Sequence, residues 1–370
     1  MSMKLLLVLP VVCLIASCSQ PFTPMSTPTP LSMSTPTPTP MRTDTRVEVQ
    51  ILKPTPPSVD ADWSNRPARL VRIFSAHTDI VCAIAFSPQG QLVASGGDDQ
   101  RILLWDVSTG DIIKTLTGHQ SRVTSLAFSA DGSLLVSGSD DHTVRLWDTG
   151  TGTEVRVFEG HESSVRSVDI SPDSKTIASG STNYSIGNIY YVNSGQLILW
   201  DTETGNKISA WNLGNLELVS FLLQGLKPAV VANHEVLLID APFKEEPWSV
   251  LVSSSNQVAI SPDGNVIATS YNNTVDLSNL SDGKLIRSFE KPSSSSYMGA
   301  IESLAFSPDG KLLVGGWSWD FLYLWDVKSG QFLGELPVNS SGYTEVAFSP
   351  DGKMFASAGV DGTVLVWSLK

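Results

Sequence analysis

Histidine, serine, aspartate and cysteine are the side chains through which this chain of 370 residues could do covalent or metal chemistry. It has five histidines, and three of them, His77, His119 and His161, fall 42 positions apart. Trp105 and Trp147 are also 42 apart. A fixed period of this length marks a repeated structural unit, so the repeat accounts for these histidines without a reaction. His142 and His234 remain, each alone. The sequence has no HExxH, no GxSxG, no CxxC pair and no phosphate-binding glycine loop. Many aspartates follow proline or precede glycine, which is turn chemistry. A pair of glycosidase-type carboxylates carries no local motif and stays invisible at this level. The expectation is a protein that is not an enzyme, with no catalytic residue, no metal site and no cofactor.

The cysteines are Cys13, Cys18 and Cys82. Cys82 lies in the apolar run IVCAIAF and reads as a small buried hydrophobe. Cys13 belongs to residues 1–17, MSMKLLLVLPVVCLIAS, where Lys4 precedes an apolar stretch from Leu5 to Ile15. That stretch is too short to cross a bilayer as a helix and reads as a secretory signal peptide. Its end, Ile15-Ala16-Ser17-Cys18, resembles the lipobox of bacterial lipoproteins. The resemblance implies cleavage before Cys18, a diacylglycerol on its thiol and often an acylated amine. Two or three acyl chains anchor stably, since each buried methylene contributes about 0.8 kcal/mol. The expected location is a bacterial cell envelope, outside the cytoplasm. By the same resemblance, Ser19 in place of an aspartate would permit transfer to an outer membrane if the organism has one. Cys82 is then the one cysteine left, with no disulfide to make.

Residues 18–66 follow as the lipidated cysteine and a Pro/Thr/Ser-rich linker, including PFTPMSTPTP and MSTPTPTPM. Proline blocks helix and ladder hydrogen bonds, so this tract reads as a partly extended stalk of at most about 150 Å. Its threonine density admits O-glycosylation. The formal net charge is −13, and Lys4 is the only charge before Cys18, so the processed chain carries −14. Such a surface repels phosphate backbones and argues against a nucleic-acid partner.

The elements that hold the remaining residues are short strands. A turn beginning with serine recurs as SPQG from Ser87, SADG from Ser129, SPDS from Ser171 and SPDG from Ser261, Ser307 and Ser349. Before it stands an alternating segment such as VTSLAFS; after it come segments such as LLVSGS, TVRLWD and EVRVFEG. Four short strands per 42 residues form one unit. Ser171 and Ser261 are 90 apart, which leaves room for an extra unit at residues 207–248, where ELVSFLL, PAVVAN and EVLLID are strand-like and Ile239-Asp240 replaces Trp-Asp. The fifth unit is also degenerate, with TVDLSNL in place of TVRLWDT. Seven units fit between about residue 76 and residue 370.

The segments from His77, His119 and His161 to the Trp-Asp pairs at Trp105, Trp147 and Trp200 resemble the WD-repeat family, and the resemblance extends over nearly all of residues 67–370. It implies an all-β fold, a seven-bladed β-propeller of four-stranded blades. The N-terminal segment ARLVRIF, residues 68–74, would supply the strand missing from the last blade and close the ring. The family builds a hydrogen-bonded tetrad of His, Ser or Thr, Asp and Trp inside a blade. By that resemblance the first blade offers His77, Ser95, Asp99 and Trp105. The second offers His119, Ser137 or Ser139, Asp141 and Trp147, with Ser137 preferred. The third keeps His161 and Trp200 but carries an insertion where the aspartate belongs, and the last keeps Asp361 and Trp367 without a histidine.

Departures from a repeat show where function is added. The third unit carries about 11 extra residues, since Trp147 and Trp200 are 53 apart. This loop, STNYSIGNIYYVNSGQ, places Tyr184, Ile186, Ile189, Tyr190 and Tyr191 between the second and third strands. The sixth unit places Trp317 and Trp319 in the corresponding loop, the fifth places Tyr271 there, and Tyr297 precedes the sixth unit. Aromatic anchors in a polar rim resemble interaction hot spots. The reading is a lipid-anchored scaffold or receptor for a protein or peptide partner. The alternatives are a glycan or small ligand in the central channel, or a propeller-type hydrolase.

Overall fold

The computed structural model describes residues 57–59, 61–62, 64–182, 195–213, 216–221, 228–232, 235–238, 248–251, 257–271, 274–290, 301–317, 321–337 and 343–370. Residues 1–56 lie outside the described residues, so the expected signal segment, Cys18 and the division at residue 17 do too, while the expected division at residue 66 falls among the described residues just before the first strand.

Alternating apolar residues and turn signals produce strands throughout, and the described residues contain no α-helix. The chain lays down β1 (Ala68–Phe74) and then a meander of β2 (Val81–Phe86), β3 (Leu92–Gly97), β4 (Arg101–Asp106) and β5 (Ile112–Thr117). The meander recurs as β6 (Val123–Phe128), β7 (Leu134–Ser139), β8 (Thr143–Asp148) and β9 (Glu154–Glu159), then as β10 (Val165–Ile170), β11 (Thr176–Ser181), β12 (Gln196–Asp201) and β13 (Lys207–Asn212). A fourth set is β14 (Leu216–Phe221), β15 (Pro228–Ala232), β16 (Glu235–Leu238) and β17 (Trp248–Leu251). A fifth is β18 (Val258–Ile260), β19 (Val266–Tyr271), β20 (Thr274–Asn279) and β21 (Leu285–Glu290). The sixth is β22 (Ile301–Phe306), β23 (Leu312–Trp317), β24 (Phe321–Asp326) and β25 (Phe332–Pro337), and the chain ends with β26 (Tyr343–Phe348), β27 (Met354–Gly359) and β28 (Val364–Leu369).

Among the described residues these strands form seven antiparallel sheets of four. Six are consecutive meanders; the last takes β1 as its fourth strand, with Ala68 opposite Leu369 and Phe74 opposite Val364. In every sheet but the fourth, the first and second strands are joined by the serine turn. Gly90 N–H donates to Ser87 O at 2.8 Å and Leu92 N–H to Ser87 Oγ at 3.0 Å. The fourth turn residue must take a left-handed backbone, φ 71° at Gly90, and in the third sheet Ser174 accepts φ 58° in its place. In the first three sheets and the sixth, the third and fourth strands are joined by a turn that an aspartate caps: Asp148 Oδ1 accepts from Thr151 N and Oγ1 at 2.7 and 2.8 Å, and Asp201 does the same for Thr204.

That second turn corrects the boundary drawn at residue 207. Lys207–Asn212 follows the capped turn at Asp201, pairs with β12 and is the outer strand of the third sheet, while the fourth sheet runs from Leu216 to Leu251. The hydrogen-bonding edge of β12 has to be met by the strand that returns from its own turn.

The core lies between sheets, not within them. Ile102, Leu104 and Leu116 of the first sheet pack on Leu126, Leu135 and Trp147 of the second. Equivalent apolar clusters join the second to the third sheet, the third to the fourth, the fifth to the sixth and the sixth to the last. Leu218 of the fourth sheet packs on Ile267 and Leu280 of the fifth, and Val364 and Val366 of the last pack with Val81, Ile84 and Trp105 of the first. Outer strands add cationic ties to the next sheet: Arg156 reaches the carbonyls of Glu203 and Thr204 at 2.6 and 3.1 Å, and Arg287 those of Ser329 and Lys328 at 2.7 and 3.2 Å.

Candidate functional site

In the first sheet Ser95 Oγ accepts the indole N–H of Trp105 at 2.7 Å and lies 2.8 Å from His77 Nε2. His77 Nδ1 lies 2.9 Å from Asp99 Oδ2, so that nitrogen carries a proton toward the carboxylate. Arg101 and the backbone N–H of Thr78 also donate to Asp99. Burial works against the charge of Asp99, but the His77 bond, the His77 charge and Arg101 outweigh it and hold the carboxyl well below the usual range. The second sheet repeats the set: Trp147 to Ser137 at 2.8 Å, Ser137 to His119 at 2.7 Å and His119 to Asp141 at 2.8 Å. Asp141 is depressed in the same way, against its burial, by His119 and Thr143. Of the two serines open in that sheet, Ser137 makes these bonds; Ser139 Oγ instead accepts the N–H of Asp141 at 3.0 Å.

The third sheet shows what sequence reasoning missed. His161 Nε2 meets Ser179 at 2.6 Å, Trp200 donates to Ser179 at 2.7 Å, and Ser181 stands where the acid would be, 2.9 Å from His161 Nδ1. Ser179 and Ser181 are two residues apart on β11 and share a face, which is the signal that could have found this partner. Without a carboxylate, burial pushes His161 down to about 3, with the Lys207 and His142 charges adding to it. In the last sheet Trp367 donates to Ser357 at 3.1 Å, while Asp361 accepts from Thr363.

A serine, a histidine and an aspartate in this order have the connectivity of a nucleophilic relay. Here Ser95, Ser137 and Ser179 are sealed from solvent, and each already holds a tryptophan N–H. No substrate carbonyl can reach the hydroxyl, and the arrangement is a satisfied polar network inside a core.

A row of partly exposed charges lies where second strands lead to third strands. Asp98 and Asp140 sit in those connections of the first two sheets. Arg122 bridges them, with Nε 2.5 Å from Asp98 and 4.0 Å from Asp140, and Arg166 Nη1 lies 3.3 Å from Asp140. Sequence reasoning missed this alternating row, whose signal is the Asp-Asp doublet one repeat apart with an arginine between. Cys82 joins it and corrects its reading as a fully buried small hydrophobe. It is half-buried, and its thiol donates to Asp98 Oδ1 at 3.3 Å. Burial and then the Asp98 charge push the thiol up, so it keeps its proton and is a poor nucleophile.

The aromatic candidates divide by position. Tyr271 ends β19 opposite Thr274, and Trp317 ends β23 opposite Ile301, both where a second strand leads to a third. Tyr184, Ile189, Tyr190, Tyr191, Tyr297 and Trp319 lie outside the described residues; the segment with the first four connects β11 to β12, and Trp319 connects β23 to β24. Among the described residues no cluster of His, Cys, Asp or Glu could hold a metal ion, and no helix is long and apolar enough to cross a membrane.

Repeated four-stranded sheets with a buried Ser–His–Trp set define a β-repeat protein whose chemistry-bearing residues are used for packing. Residues 68–106, 110–148, 152–201, 283–326 and 330–368 match the family described as WD domain, G-beta repeat; they make up more than half of the chain, which belongs to that family. The unmatched stretch between 201 and 283 holds the fourth sheet and most of the fifth. Among similar proteins, Protein Mut11 of Chlamydomonas reinhardtii is 48% identical over 42 residues, 11% of each chain. The Ribosome biogenesis protein BOP1 homolog of Drosophila virilis is 31% identical over 68 residues, 18% of this chain and 9% of that protein. The chain thus spans about a tenth of the length of these relatives.

Proposed function

We propose that this chain is a lipid-anchored, extracytoplasmic scaffold: a closed seven-bladed WD-repeat propeller that holds a protein or peptide partner and performs no catalysis. The observation that carries the binding role is the contrast between a core that absorbs the serines, histidines and tryptophans and connections that the sequence elaborates. Residues 183–194 connect β11 to β12 and residues 318–320 connect β23 to β24, the same second-to-third-strand connection that carries Asp98 and Asp140 in the first two sheets. The first two loops carry aromatic residues that the repeat does not require. Closure is supported by apolar clusters between consecutive sheets and by the clusters that join the last sheet to the first, with β1 filling the final sheet. A closed ring leaves no large sheet face to water.

The anchor is carried by Cys18 at the end of the apolar run in residues 1–17, and the proline-rich stretch before β1 would hold the propeller away from a bacterial membrane. Labelling cells with an alkyne fatty acid tests it. The wild-type protein is expected to take up label, and Cys18→Ser is expected to take up none and to leave the membrane fraction. Label retained by Cys18→Ser, or a wild-type protein found soluble, would remove the anchor from the proposal.

A further inference from the structure

At the joints between sheets, the inner strand of one sheet offers an acceptor to a backbone N–H of the next. Ser125 Oγ accepts from Val168 N at 3.1 Å, Ser167 Oγ from Val219 N at 3.0 Å and Ser303 Oγ from Val346 N at 3.1 Å. The same strand position in the last sheet holds Glu345. Its Oε2 accepts from Ile84 N at 2.6 Å, across the joint where β26 meets β2. This is the seam between the last sheet and the first, and a titratable carboxyl stands there where a hydroxyl suffices elsewhere.

We propose that Glu345 makes the seam between β26 and β2 a proton-dependent latch, tight while the carboxyl holds its proton and loosened when it ionises. Glu345 is half-buried at this joint, and one backbone N–H replaces only part of the water that an ionised carboxyl holds. Burial accordingly pushes Glu345 up to about 8, with the Ile84 N–H opposing. The strands packed around it add little charge. Cys82 on β2 is the titratable group that faces it, and that thiol is itself held protonated beside Asp98 and Arg122. On β22, Glu302 is exposed, and β3, β6, β23 and β27 carry no titratable side chain. Asp169 does comparable work between β10 and β14, accepting from Phe221 N at 2.7 Å, and burial pushes it up to about 6, so it titrates lower.

The sign follows from linkage. Between the ordinary value of 4.5 and about 8 the unfolded chain has released the Glu345 proton and the folded chain retains it. Stability from this group is therefore fully present below 4.5 and is lost as pH rises, by about tenfold in the folding constant per pH unit. The experiment compares wild type with Glu345→Gln, which keeps an acceptor and cannot ionise, and with Glu345→Ser, the side chain of the equivalent joints. Denaturant titrations run from pH 6.5 to pH 8.5, and amide exchange of peptides covering β2 and β26, corrected for intrinsic rate, is followed over the same range. The wild type is expected to lose about tenfold per unit up to pH 8 relative to either variant, with protection falling in β2 and β26 first. Parallel pH profiles for wild type and a folded variant, or a wild-type seam that tightens with rising pH, would overturn the latch.

Discussion

At the scale of single residues, the serine at the centre of each buried set carries the most consequence per atom. Ser95, Ser137 and Ser179 each join a tryptophan N–H to a histidine, so removing the hydroxyl strands two buried partners. Ser137→Ala and Ser179→Ala are each expected to cost about 1–3 kcal/mol in urea unfolding, with no loss attributable to a reaction. The third set differs in its pH dependence. His161 is held at about 3 against an ordinary 6.5, so below 6.5 the unfolded chain takes a proton that the folded chain refuses. Stability from this group falls as pH drops from 6.5 towards 3, by about 1.4 kcal/mol per unit, and the difference between wild type and His161→Gln in denaturant titrations is expected to show that slope. Asp99 and Asp141 act in the same direction lower down, since their depressed carboxyls lose their stabilising effect as pH falls below 3.8. The period of 42 made His77, Ser95, Asp99 and Trp105 legible as a set. The partnership of His161 with Ser181 was not legible, because the repeat registers only that an aspartate is displaced, not which neighbour fills the space.

At the scale of elements, β1 is the strand that the rest of the molecule can least replace. It buries Ala68, Leu70 and Phe74 and supplies the outer ladder of the last sheet. A chain that starts after Phe74 leaves β28 with an open, apolar edge, which is a template for pairing with other copies. Size-exclusion chromatography of that truncation is expected to show oligomers or aggregate, and a monodisperse monomer of unchanged melting temperature would contradict this role. ARLVRIF could be read as a strand from alternation alone, and its place beside the last unit follows from the strand count. The fourth sheet was harder to place. It lacks the serine turn and the Trp-Asp pair, so its first boundary was drawn at residue 207, inside the outer strand of the third sheet. The capped turn from Asp201 to Gly205 holds the missing information, since the same turn sends the chain back along its own sheet at Asp106, Asp148 and Asp326.

At the scale of the whole molecule, regular and irregular parts divide the work. The repeat absorbs histidine, serine and tryptophan into a core formed between sheets, and the departures the proposal rests on fall in connections from second to third strands. Sequence alone identified the aromatic insertions because a period makes an excess visible. It could not identify the Asp98–Arg122–Asp140–Arg166 row, whose members lie in different repeats and meet only when neighbouring sheets pack. The claim that these connections receive a protein partner is open to one direct measurement. Crosslinking with mass spectrometry in intact cells, on wild type and on a variant with Tyr190, Tyr191, Trp317 and Trp319 all changed to alanine, reads contacts by position. The expected result is wild-type crosslinks from residues 182–195 and 318–320 to another protein, lost in the variant while its melting temperature is kept. Crosslinks that are the same in both proteins, or that avoid these connections altogether, would contradict it.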